Sequence, residues 1–247
     1  MLRDYKRETE DRVAWIKQVL AKAGCGAIVF GSSGGKDSVL VGILCKMACD
    51  NTLGIIMPCE SARNFEEDTE DALLFARHFD IEHITVDLTA AKQEMAAALP
   101  MELNKQASTN INPRLRMATL YAVAATRGAL VAGTSNRSET HMGYFTKWGD
   151  AGCDFNPIAD LTVTETYEFL RYLDAPERFW TKAPSAGLFP GQTDEDEMGV
   201  TYAEIDKYLL MGEKGPNFDK IELSHKITAH KRSGVTKYHQ DLRRGGL

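Results

Sequence analysis

The chain has 247 residues, 43% of them apolar and 26% charged, with a net charge of −6. That length and balance fit one large α/β domain with its own core, while the negative charge argues against general attraction to nucleic acid and no apolar run is long enough to span a membrane. Cys25, Cys45, Cys49, Cys59 and Cys153 form no Cys-x-x-Cys pair, so neither a disulfide framework nor a zinc site is expected, and buried thiols in a reducing cytoplasm are.

Residues 1–22 are charged and amphipathic, unlike a targeting peptide. Val13, Ile16, Val19 and Leu20 keep helical spacing and predict a helix over 5–23. Residues 27–30, apolar and partly β-branched, predict a buried strand. The Gly/Ser-rich stretch 31–38 follows, and then an apolar helix over 39–47. Residues 52–57 predict a second strand stopped by Pro58, 66–79 a helix, 81–86 a third strand and 90–99 a further helix. The polar stretch 101–112 reads as a loop, 114–126 as a helix and 129–134 as another buried strand. A helix over 163–173 precedes a segment, 181–199, rich in Pro, Gly, Ser, Asp and Glu and expected to be a mobile functional loop. Residues 202–210 are helical and the tail 226–244 is basic. Strands alternating with helices predict a doubly wound parallel sheet with helices on both faces, a single domain over 1–247. Ligands of such sheets bind at the carboxyl ends of the strands.

Two segments lie at such ends. The first is Gly31-Ser32-Ser33-Gly34-Gly35-Lys36-Asp37-Ser38. Strand, glycine-serine loop and helix cradle phosphate: glycines let the backbone approach, and N–H groups and the helix N-terminus face the anion. It is not a Walker A loop, because Phe30 stands where the first glycine belongs and Asp37 follows the lysine. A carboxylate there repels phosphate unless a cation lies between them, so Asp37 is a candidate Mg2+ ligand. The second segment is Gly133-Thr134-Ser135-Asn136-Arg137-Ser138-Glu139. Glu139 is placed to share Mg2+ with Asp37, or equally to sit at a helix N-terminus and favour its dipole.

The first loop resembles the Ser-Gly-Gly-x-Asp-Ser signature of the PP-loop ATP pyrophosphatases, with an adenine-nucleotide α-hydrolase-like fold. With the second segment, Gly143-Tyr144-Phe145-Thr146-Lys147-Trp148-Gly149-Asp150, Asn156-Pro157-Ile158, Ala175-Pro176-Glu177, the run 182–188, the run 191–195 and Ala229-His230-Lys231-Arg232, the chain resembles the ammonia-dependent NAD synthetases. The resemblance implies a ligase. Nicotinic acid adenine dinucleotide, activated by ATP as an acyl-adenylate with loss of pyrophosphate, is amidated by ammonia to NAD, with release of AMP.

The resemblance also implies roles. Asp37 and Glu139 would hold Mg2+. Gly31, Ser32, Ser33, Gly34, Gly35, Lys36, Asp37, Ser38, Thr134 and Ser185 would contact ATP. Arg114, Lys147, Asp154, His230 and Lys231 would contact the dinucleotide, although from the residues alone Arg114 and Lys147 also read as solvated charges and His230 as an ordinary histidine. Asp150 would hold and deprotonate ammonium. A cytoplasmic homodimer is implied, with the helix over 114–126 as interface or equally as core. No glutaminase domain is expected, since only about thirty residues precede the loop, against roughly 50 for a small domain. One departure stands out: Val163 occupies a position where the family usually has a phosphate-binding lysine. Lys36 in the loop, or Lys182, is the expected substitute. Two other readings compete: a tRNA-thiolating PP-loop enzyme, against which the lack of paired cysteines and of a basic surface argues, and a non-catalytic nucleotide-binding module, against which the presence of Asp37, Glu139 and Asp150 argues.

Overall fold

The computed structural model describes residues 3–60, 67–181, 193–236 and 238. Four strands, β1 (Ala27–Gly31), β2 (Thr52–Ile56), β3 (Glu82–Thr85) and β4 (Ala129–Ala132), form one sheet in the order β3-β2-β1-β4. All three pairings are parallel. Each crossover carries at least one helix, and the sheet is covered on both faces.

Alternation along β1 shows how. Ile28 and Phe30 enter one cluster with Ile16 and Leu20 of α1 (Tyr5–Ala23), Val39 to Cys45 of α2 (Lys36–Ala48), Phe75 of α3 (Glu67–His78), and Phe169 and Leu170 of α8 (Val163–Tyr172). Val29, between them, enters a second cluster with Leu53, Ile55 and Val131 and with Leu120 and Ala124 of α6 (Ile111–Arg127). A strand buried on both faces reads as a continuous apolar run, which is why the sequence exposes it so plainly. Leu88, just before α4 (Thr89–Ala97), lies on the second side.

A third, smaller cluster sits over the strand ends. It joins Met142 of α7 (Arg137–Met142), Val163, Met198 of α10 (Asp194–Met198), Tyr202 and Ile205 of α11 (Tyr202–Met211), and Ile221 of α12 (Phe218–Ile227). The short α9 (Arg178–Thr181) and α13 (Ala229–Arg232) complete the described elements.

Two sequence expectations change. The polar stretch 101–112 is not all loop: it holds α5 (Lys105–Thr109) and the start of α6. Asn104 caps α5 by accepting the Ala107 N–H at 2.8 Å, and Pro113 falls in the first turn of α6, where its missing N–H costs nothing. Of the expected loop 181–199, residues 182–192, including Lys182 and Ser185, lie outside the described residues. Residues 194–198 form α10, capped by Thr193. Among the described residues no helix is long and apolar enough to cross a membrane.

Candidate active site

The strand order reverses between β1 and β4, so the crevice of the sheet opens at their carboxyl ends. Both polar segments lie there. They line a cleft of 750 Å3 that also takes in Arg116, Asp150, Asp194 and Lys231. This is an ordinary volume for a ligand site, roughly 300–1,000 Å3.

The phosphate loop leaves β1 at Gly31 and enters α2 at Lys36, with Gly35 as N-cap and no side-chain cap. The first-turn N–H groups of α2 have no helical acceptor and suit an anion. Gly34 has φ +73°, and a Cβ there would come within 2.6 Å of the Asp71 Cβ and 2.7 Å of the Asp68 carbonyl oxygen. Only glycine fits that turn. Ser38 Oγ donates to the Gly35 carbonyl at 2.9 Å and lies 3.1 Å from Ser33 Oγ. Ser32 behaves differently, because its hydroxyl lies 3.1 Å from His83 rather than toward a neighbour in the loop.

The two carboxylates assigned to metal converge. Lys36 Nζ lies 2.7 Å from Asp37 Oδ2 and 3.6 Å from Glu139 Oε1, with all three side chains at least four-fifths buried. Asn136, fully buried, joins them from behind. Its amide donates to Asp37 Oδ1 at 3.2 Å, its side-chain oxygen accepts the Glu139 N–H at 2.9 Å, and its own N–H reaches Glu139 Oε2 at 3.4 Å. The last two bonds form a capping box that starts α7. Glu139 thus takes the helix-capping place the sequence allowed through one oxygen, while its other oxygen lies 3.6 Å from Lys36 Nζ at the cleft. Burial, and then the Asp37 charge, push the Glu139 carboxyl well above the usual carboxylate range, with Lys36 opposing. Burial alone would lower the Lys36 ammonium, but Asp37 and Glu139 more than offset it and raise it. Two carboxylates that already share one cation fit a hard divalent ion, since Mg2+ is commonly held by one or two carboxylates together with substrate phosphates.

Asp150 opens into the cleft, while protein crowds its other sides. That burial raises its carboxyl above the usual value, against the Thr146 N–H that it accepts at 2.9 Å and the charges of Lys231 and Arg116. Lys231 is held by the Gly143 and Phe145 carbonyls, each at 2.8 Å. Thr134 also lines the cleft.

Other sequence candidates lie apart from this lining. Arg114 is exposed at the start of α6. Lys147 Nζ donates to the His230 carbonyl at 2.5 Å, which ties the segment before Asp150 to α13. Asp154 uses both oxygens structurally, accepting the Val131 N–H at 2.8 Å and the Tyr121 hydroxyl at 3.1 Å.

Arg116 and Asn136 are site residues to which sequence reasoning gave no role. Arg116 stands two positions after Arg114, which on a helix is the opposite face. It aligns with the buried Leu120 and Ala124, and that i, i+4, i+8 spacing was the available signal. Its guanidinium donates to the Met57 carbonyl at 3.0 Å, and burial lowers its pKa while the charges of Cys59, Asp68 and Asp150 oppose.

Known proteins share this arrangement of sequence and fold. The family model described as NAD synthase matches residues 8–243. The NH(3)-dependent NAD(+) synthetase of Carboxydothermus hydrogenoformans is 47% identical over 235 residues, covering 93% of this chain and 96% of that protein. The solved structure of NMN synthetase from Francisella tularensis aligns with a TM-score of 0.90 at 35% identity, over 96% of this chain and 99% of that one. The NH3-dependent NAD synthetase from Campylobacter jejuni aligns at 0.80 and 28% identity, over 96% of this chain and 100% of that one. With the family model spanning almost the whole chain, and both polar segments at the sheet's switch point, the chain belongs to the NAD synthase family.

Proposed function

We propose that this protein converts nicotinic acid adenine dinucleotide to NAD, using ATP and ammonia and releasing AMP and pyrophosphate. One observation carries the reading: Asp37 of the phosphate loop and Glu139 of α7 meet around one cation in the cleft that also holds Asp150 and Lys231.

The chemistry follows from what each group does. A carboxylate does not accept an amine until its oxygen becomes a leaving group, and joining it to the α-phosphate of ATP supplies one. Asp37 and Glu139 would hold Mg2+, whose charge when bound would offset that of the phosphates. The loop backbone and the first turn of α2 bind the phosphates, and Lys36 keeps positive charge beside them. Asp150, its carboxyl raised by burial, is a better base than an ordinary aspartate and takes a proton from ammonium. Neutral ammonia then attacks the acyl carbon, and AMP leaves with the former carboxylate oxygen. Ammonium, rather than glutamine, is the proposed nitrogen source, in keeping with the curated relatives' names. The enzyme is proposed to work as a homodimer.

The likeness to an NMN synthetase favours a second reading, amidation of the mononucleotide at the same nicotinate carboxylate. The test offers the purified protein ATP, Mg2+ and ammonium with either nicotinic acid adenine dinucleotide or nicotinic acid mononucleotide. A larger kcat/KM for the dinucleotide is expected. A larger value for the mononucleotide would move the assignment to the second reading, and amidation of neither would overturn both.

A further inference from the structure

Ser32 is tied to the sheet by both of its donors. Its backbone N–H donates to the Ile55 carbonyl at 2.9 Å. Its side chain, 2% exposed, places Oγ 3.1 Å from His83 Nε2. His83 belongs to β3, two strands away from β1, and β2 lies between them. The register explains how the ring crosses: Phe30, Gly54 and His83 lie side by side across the three strands. Gly54 has no side chain, and a Cβ there would come within 2.4 Å of His83 Nε2. The ring passes over that gap, with the rings of Phe30 and Phe75 nearly perpendicular to it at centroid distances of 6.1 and 5.9 Å.

The tautomer is fixed by the partners. His83 Nδ1 lies 2.8 Å from the Ile81 carbonyl, which can only accept, so Nδ1 carries the proton. Burial favours the neutral ring. Nε2 is then bare and accepts the Ser32 O–H. The hydroxyl that the sequence assigned to ATP is therefore committed to the sheet, and the loop leaves β1 from a fixed point just ahead of the left-handed turn at Gly34.

We propose that His83 is a positioning residue for the phosphate loop, reaching through the gap at Gly54 to hold Ser32 and so pre-ordering the loop for ATP. The inference rests on the ATP-cleaving reading above. A loop held before binding loses less freedom when ATP arrives.

The test compares His83→Phe, Ser32→Ala and the double variant by calorimetric titration with ATP and Mg2+, by KM for ATP and for ammonium, and by thermal melting. His83→Phe keeps an aromatic ring between Phe30 and Phe75 but removes the acceptor. Loss of one buried hydrogen bond should weaken ATP binding about tenfold in each single variant. The ammonium KM should hold, and the double variant should be no worse than either single one. His83→Gln, whose amide oxygen also accepts, should recover part of the loss. Gly54→Ala, which keeps both partners but fills the gap, should reproduce it. Wild-type ATP affinity in His83→Phe, or losses that add in the double variant, would overturn the proposal. Should His83→Phe fail to fold, the 15N shift of His83 Nε2 decides: it moves in Ser32→Ala if the bond exists and stays if it does not. Because ATP binding is read directly, a wild type that binds ATP without amidating would overturn the functional reading and leave this test intact.

Discussion

Lys36 brings a full charge to a place only 8% exposed, between two carboxylates. Removing one partner of a buried ionic group strands the others. Lys36→Met should therefore lower stability by about 3–5 kcal/mol in metal-free buffer, and Mg2+ should restore part of it, as seen in melting curves with and without the ion. An unchanged melting temperature without metal would contradict this. The same residue bears on the missing lysine. Val163 is buried in the cluster that contains Tyr202, and Lys36 Nζ lies 5.6 Å from the centre of the Tyr202 ring. That Lys36 stands in for the missing lysine is a prediction, tested by a pair of variants. Lys36→Gln should weaken ATP use about tenfold or more, the worth of a charged hydrogen bond, and adding Val163→Lys should recover part of it. Asp37→Asn and Glu139→Gln should each cost at least about a hundredfold in turnover with the fold intact, since metal-borne charge stabilisation is worth several kcal/mol. Near-normal activity in either would remove that residue from the metal site.

At the scale of elements, α7 links the chemistry to the C-terminal helices. Its N-terminus carries Asn136 and Glu139, and its last turn carries His141. Asn136→Ala removes a cap worth about 1 kcal/mol and also frees Asp37, so it should lower both melting temperature and turnover. Turnover at the wild-type level would deny Asn136 its role on Asp37. His141 stacks on His225 of α12, with ring centroids 4.1 Å apart. Burial first, then the charges of His225, Arg232 and Arg137, push its pKa down to about 4, with Glu222 opposing. The unfolded chain then binds the proton more readily than the folded one between the ordinary 6.5 and about 4. Stability is lost as pH falls through that window. Melting temperatures measured across it should fall more steeply for the wild type than for His141→Gln, and equal slopes would refute the linkage.

The parts legible in the sequence were those where local pattern and topology agree. β1 and β2 are buried on both faces, so their apolar runs stand out. The glycine-serine loop lies at the point where the strand order turns, and Asp37 in it called for a cation before any geometry was known. Three features were not legible, each for a reason of side-chain direction or capping. Polar residues 101–112 concealed α5, because Asn104 caps a helix too short to show a period. Arg114 drew notice while Arg116, on the inward face, borders the cleft. The hydroxyl of Ser32 turns to a histidine that only the β3-β2-β1 register brings near.

For the whole molecule, α6 gives one face to the core and turns another outward, and the outward face is the proposed dimer interface. Leu120 and Ala124 are core, with Leu115, Tyr121 and Val123 packed partly buried against it. Arg114, Ala118, Ala122 and Ala125 face outward. Sedimentation should give a dimer for the wild type and a monomer for Ala122→Arg if this line forms the interface, and a fully active wild-type monomer would defeat the idea. The cleft is proposed to activate a carboxylate by joining it to the α-phosphate of ATP. The most direct measurement uses nicotinic acid adenine dinucleotide labelled with 18O in the carboxylate, with ATP, Mg2+ and ammonium. One labelled oxygen per turnover is predicted in AMP, with pyrophosphate unlabelled. Unlabelled AMP, or ADP and phosphate as products, would rule out that activation.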